Sequence, residues 1–323
     1  MSEASRETPP VIVVGGATAS GKSALAMALA ERLDGTIVNA DSMQVYADLR
    51  ILTARPSPAD EARVPHRLFG LLDAGDICSA ARWRDLAIAE IDAIHAAGRR
   101  AIVTGGTGLY LRALMSGIAA IPPIPDAVRR QARAQHAEQG AAAFHAALAA
   151  RDPAMAARLA PGDGQRVIRA WEVLEATGRS LADWQAASDH QPAPWRFDVV
   201  LLLPPREALY AACDARLETM LGAGALDEVA ALDARIASGS LADDVPLVRA
   251  LGVPELRAHL RGDLDRDAMT RAVQQATRRF AKRQMTWFRH QIPAEAAAPL
   301  RHIERYEEKY SIGLVDKIFP KIS

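Results

Sequence analysis

Residues 11–33 read VIVVGGATASGKSALAMALAERL: an apolar run ending in glycine, a loop with the spacing G-x-x-x-x-G-K-S from Gly16 to Ser23, and an Ala/Leu-rich stretch. Such a run reads as a buried strand that turns through a glycine loop into a helix. That is the first unit of a parallel α/β sheet. Gly16 and Gly21 let the backbone curl so that successive amide N–H groups point inward at a phosphate, and the start of the helix adds its partial positive charge. Lys22 supplies a point charge to the terminal phosphate, and the Ser23 hydroxyl is placed to ligate Mg²⁺. The pattern specifies a phosphate and leaves open which one.

The rest of the composition narrows the class. With 323 residues, half of them apolar, the chain has material for one large or two modest domains. Its formal net charge is zero, so a polyanionic partner must be met by a local basic patch. The two cysteines, Cys78 and Cys213, are far apart and exclude a disulfide scaffold or a four-ligand zinc site. The polar start MSEASRETPP and the lack of any run near the ~20 apolar residues needed to span a bilayer lead to the expectation of a cytoplasmic, unexported protein with no membrane partner.

Further strands are expected at GTIVNAD (35–41), RRAIVTGGTG (99–108) and FDVVLLLPP (197–205). The stretches REALYAACDARLETMLGAGALDEVAAL and RDAMTRAVQQATRRFAKRQMTWFRHQ read as long helices. Between them, IAAIPPIPD breaks the pattern, and an almost wholly helix-forming stretch follows. The expected organisation is a core begun at 1–117, a helical insertion at 118–190, the core resumed at 191–303 with a basic C-terminal helix, and an atypical tail at 304–323. The fold class is α/β, a P-loop NTPase-like parallel sheet flanked by helices.

Ordinary ATPases and GTPases hold their metal with a second carboxylate at the end of an apolar strand. Here RAIVTGG and VVLLLPP both end without one. The acid that does end a strand is Asp41, in NADSMQVY, expected to face the crevice at the carboxyl ends of the strands. An Asp before a Ser also suits a helix N-cap. Ser42, Gln44 and Tyr46 follow it in a polar run suited to gripping a planar heterocycle through an amide and a phenol.

GGATASGKS, NADSMQVY, VPHRLFGLLD, SAARWRDLA, IVTGGTGLYLRAL, QRVIRAWEVLEATGRSL and TRRFAKRQMTWFR stand in the order and near the spacing of the motifs of the bacterial tRNA dimethylallyltransferase family. The resemblance spans about residues 11 to 292. It implies that the loop residues Gly16, Ala17, Thr18, Ala19, Ser20, Gly21, Lys22 and Ser23 hold the pyrophosphate of dimethylallyl diphosphate, with Mg²⁺ on Ser23, and do not cleave ATP. The implied reaction transfers the dimethylallyl group to the exocyclic amine of the adenosine 3′ of the anticodon in tRNA. Asp41 is the implied base, Arg216 an electrostatic partner of the leaving diphosphate with Arg206 nearby and of the same type, and Thr107 a residue at the mouth of the reaction channel. Contacts to the anticodon stem-loop are implied for Asp41, Ser42, Met43, Gln44, Thr107, Gln165, Arg166, Val167, Ile168 and Arg169, and for Arg129, where Arg130 or Arg133 could serve. The expected state is a monomer.

The last long helix holds Arg271, Arg278, Arg279, Lys282, Arg283 and Arg289 and no acid from 268 to 290; Arg271, Arg278, Lys282 and Arg289 recur at helical spacing as a possible phosphate track. Phe280, Trp287 and Phe288 read as core. Departures from the family pattern are Ala17 in place of a proline, ADLRILTARP without its usual glycines, and Val253–Pro254 where an aromatic and a basic residue are more familiar. Lys22 and Lys282 are the only lysines before Lys309, whereas three crowd the tail, suggesting a late-acquired extension or frameshift scar. A P-loop small-molecule kinase and a prenyltransferase acting on free AMP are the rival readings.

Overall fold

A computed structural model describes residues 10–187, 191–292 and, as backbone, 300–303. The chain divides into two compact units, one made of 1–116 with 192–323 and the other of 117–191. The first contains a sheet of six strands: β1 (Val11–Gly16), β2 (Gly35–Asn39), β3 (His66–Arg67), β4 (Arg100–Gly105), β5 (Phe197–Leu202) and β6 (Leu300–Ile303). The spatial order is β3-β2-β4-β1-β5-β6, and every pairing is parallel.

Parallel strands covered on both faces read as continuous apolar runs, and β1 and β5 are buried at every position. Alternation splits their side chains. Ile12, Val14, Ile37, Ile102, Val200 and Leu202 pack with Leu25 and Leu29 of helix Lys22–Arg32. Val11, Val13, Val38, Val103, Val199 and Leu201 face the opposite layer with Trp83, Ile91, Leu111, Leu114 and Phe288. Burying a side chain of this size stabilises by roughly 1.5–3 kcal/mol, so the sheet is the rigid floor of the unit.

Register decides where the loops emerge. Gly15 pairs with Gly105, Asn39 with Thr104 and Gly16 with Leu202, so the four central strands end at one level. The segments after them therefore leave from one carboxyl edge: the phosphate loop after β1, Ala40–Gln44 after β2 and Gly106–Thr107 after β4. The edge is tight. A Cβ on Gly105 would lie 2.1 Å from the carbonyl oxygen of Ala40.

Two edge strands, β3 and β6, go beyond the sequence expectation: β3 is only two residues long, and β6 stands next to residues whose sequence carries no strand pattern. The expected helix from Arg206 breaks in two, Arg206–Gly222 and Ala225–Ala237, because Gly224 adopts φ 102°. Leu49 and Ala54 adopt φ 56° and 57° in the stretch that lacks the family's glycines, a left-handed backbone that costs a non-glycine residue of order 1 kcal/mol. Helix Arg266–His290 is continuous, with Phe288 buried and Trp287 packed beside it. Its stripe is not uniformly free: Arg278 pairs with Asp214, while Lys282 and Arg289 are exposed. The tail 304–323 lies outside the described residues.

The second unit is helical: Asp126–Arg151, interrupted by non-helical Gly140, then Pro153–Ala156, Gly164–Thr177 and Leu181–Ala187. Its own core gathers Ile124, Phe144, Leu148, Val167, Ala170 and Val173.

One substitution tests the packing of the edge, and a second, in the helical unit, serves as its control. Gly105→Ala is expected to lower unfolding free energy by about 3 kcal/mol, since a backbone carbonyl cannot move aside. Gly162→Ala, with nothing within 4 Å and no left-handed φ, should change it by less than about 0.5 kcal/mol. Urea titration of both variants checks the pair.

Candidate active site

The phosphate loop is shaped by two left-handed residues, Ala19 (φ 60°) and Gly21 (φ 90°), a backbone pattern that suits an anion-binding turn. Gly16 is needed for a different reason: a Cβ there would lie 2.7 Å from Ser20 Oγ and 2.9 Å from Leu202 O. Ala17 is fully buried against Leu209, Cys213, Ala281 and Met285, so the loop is anchored by packing. Helix Lys22–Arg32 has no acidic residue in its first turn, which leaves its positive end uncompensated. Ser20 Oγ is buried with no hydrogen-bond partner, a donor that suits a phosphate oxygen.

Lys22 Nζ lies 3.5 Å from Ala17 O. Burial pushes its pKa down to about 8, with Arg216 lowering it further and Asp41 acting against them. Arg216 donates to Thr18 Oγ1 and is likewise depressed by burial, with Asp41 again raising it. Asp41, Lys22 and Arg216 thus form one electrostatic cluster although 175 residues separate Asp41 from Arg216 in sequence. Arg206, the alternative, is exposed at the start of its helix.

Asp41 lies two residues beyond the end of β2. Its Oδ1 accepts from Met43 N at 2.9 Å, and no helix begins there, so it closes a turn and does not cap a helix. Its backbone is held by Asn39, which is fully buried: Asn39 Oδ1 accepts from Asp41 N at 2.8 Å, and Asn39 Nδ2 donates to Asp41 O at 3.0 Å and Leu68 O at 3.1 Å. Thr107 closes the facing wall. Its N–H reaches Ala40 O at 3.2 Å, and its Oγ1 accepts from Ser42 N at 2.9 Å and donates to Ser42 Oγ at 3.2 Å.

Other expected contacts are placed differently. Tyr46 is buried and spends its phenol on Asp76 O, so it does not offer that group to a heterocycle. Gln44 commits its amide nitrogen to Thr53 O and Ala54 O, at 2.7 and 3.0 Å, leaving its oxygen. Met43 is half-buried against the core. A cavity of about 330 Å³ beside the loop is lined by Lys22, Ser23, Gln44, Arg55, Phe69 and Thr104, among others.

In the helical unit, Gln165 and Arg166 are exposed on helix Gly164–Thr177, with Arg166 3.4 Å from Asp163. Arg169 pairs with the largely buried Glu172 at 3.3 Å, Ile168 is half-buried, and the Nε of Arg129 is buried. Val167 is a correction. It is 0 % exposed in the unit's core, so its side chain offers no surface to RNA.

Among the described residues, no group of three or more His, Cys, Asp or Glu side chains is poised to hold a metal. The Ser23 hydroxyl at the loop suits an ion such as Mg²⁺ that keeps most of its waters and leans on phosphate oxygens. Among the described residues, no helix is long and apolar enough to cross a membrane.

A parallel sheet with a phosphate cradle at its carboxyl edge, faced by an aspartate and flanked by strands β4 and β5 that end without a carboxylate, defines a P-loop protein. The family model described as IPP transferase matches residues 44–291. The chain belongs to the IPP transferase family. It is 61% identical over 288 residues to a tRNA dimethylallyltransferase of Rhodospirillum centenum, covering 89% of this chain and 90% of that one. It is 49% identical to one of Paramagnetospirillum magneticum, covering 97% and 96%. Among solved structures, the full-length tRNA isopentenylpyrophosphate transferase of Bacillus halodurans matches with TM-score 0.66 at 29% identity, covering 97% of this chain and 96% of that one. A eukaryotic dimethylallyltransferase acting on tRNA shares the fold, with TM-score 0.79 at 24% identity and coverage of 96% and 77%.

The lowered pKa of Lys22 makes anion binding depend on pH. A bound diphosphate favours the ammonium, so binding takes up a proton above about pH 8, and affinity falls by up to about tenfold per pH unit there. Calorimetric titration with inorganic pyrophosphate between pH 7 and 9 should show this loss in the parent relative to Lys22→Arg, whose guanidinium stays charged. Identical slopes in the two proteins would remove Lys22 as the titrating group.

Proposed function

We propose that this protein transfers the dimethylallyl group of dimethylallyl diphosphate to the exocyclic N6 amine of the adenosine 3′ of the anticodon in tRNA, releasing pyrophosphate. The observation that carries the reading is the cluster of Asp41 with Lys22 and Arg216, a carboxylate facing a phosphate cradle whose flanking strands β4 and β5 end without an acid.

The adenine N6 lone pair is delocalised into the ring, so attack on C1 of the donor needs a positioned base. As the N6–C1 bond forms, the C1–O bond breaks and pyrophosphate leaves with the electron pair. The N6 proton passes to Asp41 at Oδ2, since Oδ1 is held by Met43 N–H. Lys22, Arg216 and the loop N–H groups stabilise the charge growing on the leaving oxygen. Mg²⁺ held by the Ser23 hydroxyl supplies further neutralisation of the diphosphate when bound. Ser42 and Thr107 form the wall beside the amine, and the target base must leave its stack to reach it. Gln165, Arg166, Arg169 and Arg129 bind the RNA from the helical unit, mainly through phosphates. The protein works as a monomer in the cytoplasm.

Asp41→Asn keeps the shape and the acceptor for Met43 N–H but cannot take up the proton. Single-turnover prenylation is expected to slow by about 10²–10⁴, with tRNA and donor affinities within about threefold of the parent. A rate within about threefold of the parent would falsify the assignment of Asp41 as base.

Arg166→Ala tests the RNA contact without unpairing a buried acid, as removal of Arg169 would. The slope of log affinity against log salt for tRNA should fall by roughly 0.7–0.9, and pyrophosphate affinity should not move. An unchanged slope would take Arg166 out of the interface.

A further inference from the structure

Gln284, on helix Arg266–His290, is 7% exposed, and its side chain reaches two segments that the chain order keeps far apart. Its Oε1 accepts from Thr18 N at 2.9 Å, and its Nε2 donates to Gly106 O at 2.9 Å. The partners dictate the orientation: a backbone N–H must meet the oxygen and a backbone carbonyl the amide nitrogen. Gly106 has no room for a side chain, because a Cβ there would stand 2.4 Å from Gln284 Nε2.

Each contact continues into one half of the site. Thr18 belongs to the phosphate loop, and its hydroxyl accepts from Arg216. Gly106 precedes Thr107, which bonds Ala40 O and Ser42 N on either side of Asp41. We infer that Gln284 is a positioning residue, setting the distance between the cradle that holds the diphosphate and the wall that holds the adenine amine. This rests on the proposed division of the site into those halves. Gln284 touches neither substrate; it acts through Thr18 and Gly106. A neutral side chain with one donor and one acceptor at fixed separation meets the requirement. A carboxylate would satisfy Thr18 N–H but set an oxygen against Gly106 O, until protonation restored a donor.

The consequence is separable from substrate binding. Misplacement of two reactants by about 1 Å costs on the order of 100-fold in rate with little change in either affinity. Gln284→Met, of similar length but with neither hydrogen bond, should slow single-turnover transfer by about 10–100-fold. Affinities for pyrophosphate and for tRNA should each stay within about threefold. Gln284→Glu should be as slow at pH 8 and recover at pH 6, its rate divided by the parent's rising at least about fivefold as the buried carboxyl protonates. A role confined to folding would change the active fraction and the melting temperature, leaving that ratio level. If the Met variant does not fold, the pH ratio of the Glu variant decides. A Met variant within threefold of the parent rate, or a level ratio, overturns the inference.

A readout independent of transfer is hydrogen exchange with inorganic pyrophosphate as the probe. In the parent, pyrophosphate should protect both the 15–23 segment and the 104–110 segment; in Gln284→Met it should protect only the first. Protection of both segments in the variant overturns the coupling. A parent that transfers no label, yet couples the two segments, counts against the assigned reaction and leaves the bridge standing.

Discussion

The closeness of β2 and β4 at their carboxyl ends governs what the rest of the site can do. Ala40 N reaches Thr104 O at 2.7 Å, Thr107 N reaches Ala40 O at 3.2 Å, and Gly105 admits no side chain between them. This parallel pairing brings Asp41 and Thr107 to one edge, beside the loop after β1. A cradle of backbone N–H groups binds an anion wherever it occurs. Group transfer needs in addition an acceptor held at attacking distance, and the β2–β4 pairing provides a fixed frame for one.

The electrostatics of that frame are asymmetric. Lys22 and Arg216 are two cations brought together in a partly desolvated place, and burial lowers the pKa of both. Each is relieved by Asp41 and would be relieved further by a diphosphate. The site is therefore tuned to a ligand carrying several negative charges, as the proposed diphosphate donor does. Strand β4 ends without a carboxylate, and Thr104 near its end turns its hydroxyl to Val14 O at 3.3 Å.

Much of this was legible in the residues themselves. The loop from Gly16 to Ser23, the strands at 11–15 and 197–205 and the aspartate after GTIVNA follow from local pattern, since the fixed spacing of a phosphate loop and the apolar run of a buried strand are written in adjacent positions. The broken helix at Gly224 was missed because composition alone does not reveal a left-handed φ. β3 was missed because two residues carry no period. Tyr46 reads as a ligand group by its type alone, whereas its phenol is claimed by Asp76 O, thirty residues away. Asn39 and Gln284 were invisible for the same reason in reverse. Each is an amide whose partners are remote backbone groups, and nothing near it in the chain announces them. Val167 shows the limit of carrying over a run of residues as a block: the helix turns it inward while Gln165 and Arg166 face out.

The central claim is that the cradle serves a prenyl donor and that the acceptor is an RNA base. Incubation with dimethylallyl diphosphate labelled in its hydrocarbon part, with Mg²⁺ and either tRNA, AMP or ATP, tests it most directly. Label is expected in tRNA alone, at one adenosine beside the anticodon, with one pyrophosphate released per label transferred. Label in AMP or ATP with none in tRNA would contradict it, as would phosphoryl transfer from ATP without consumption of the prenyl donor.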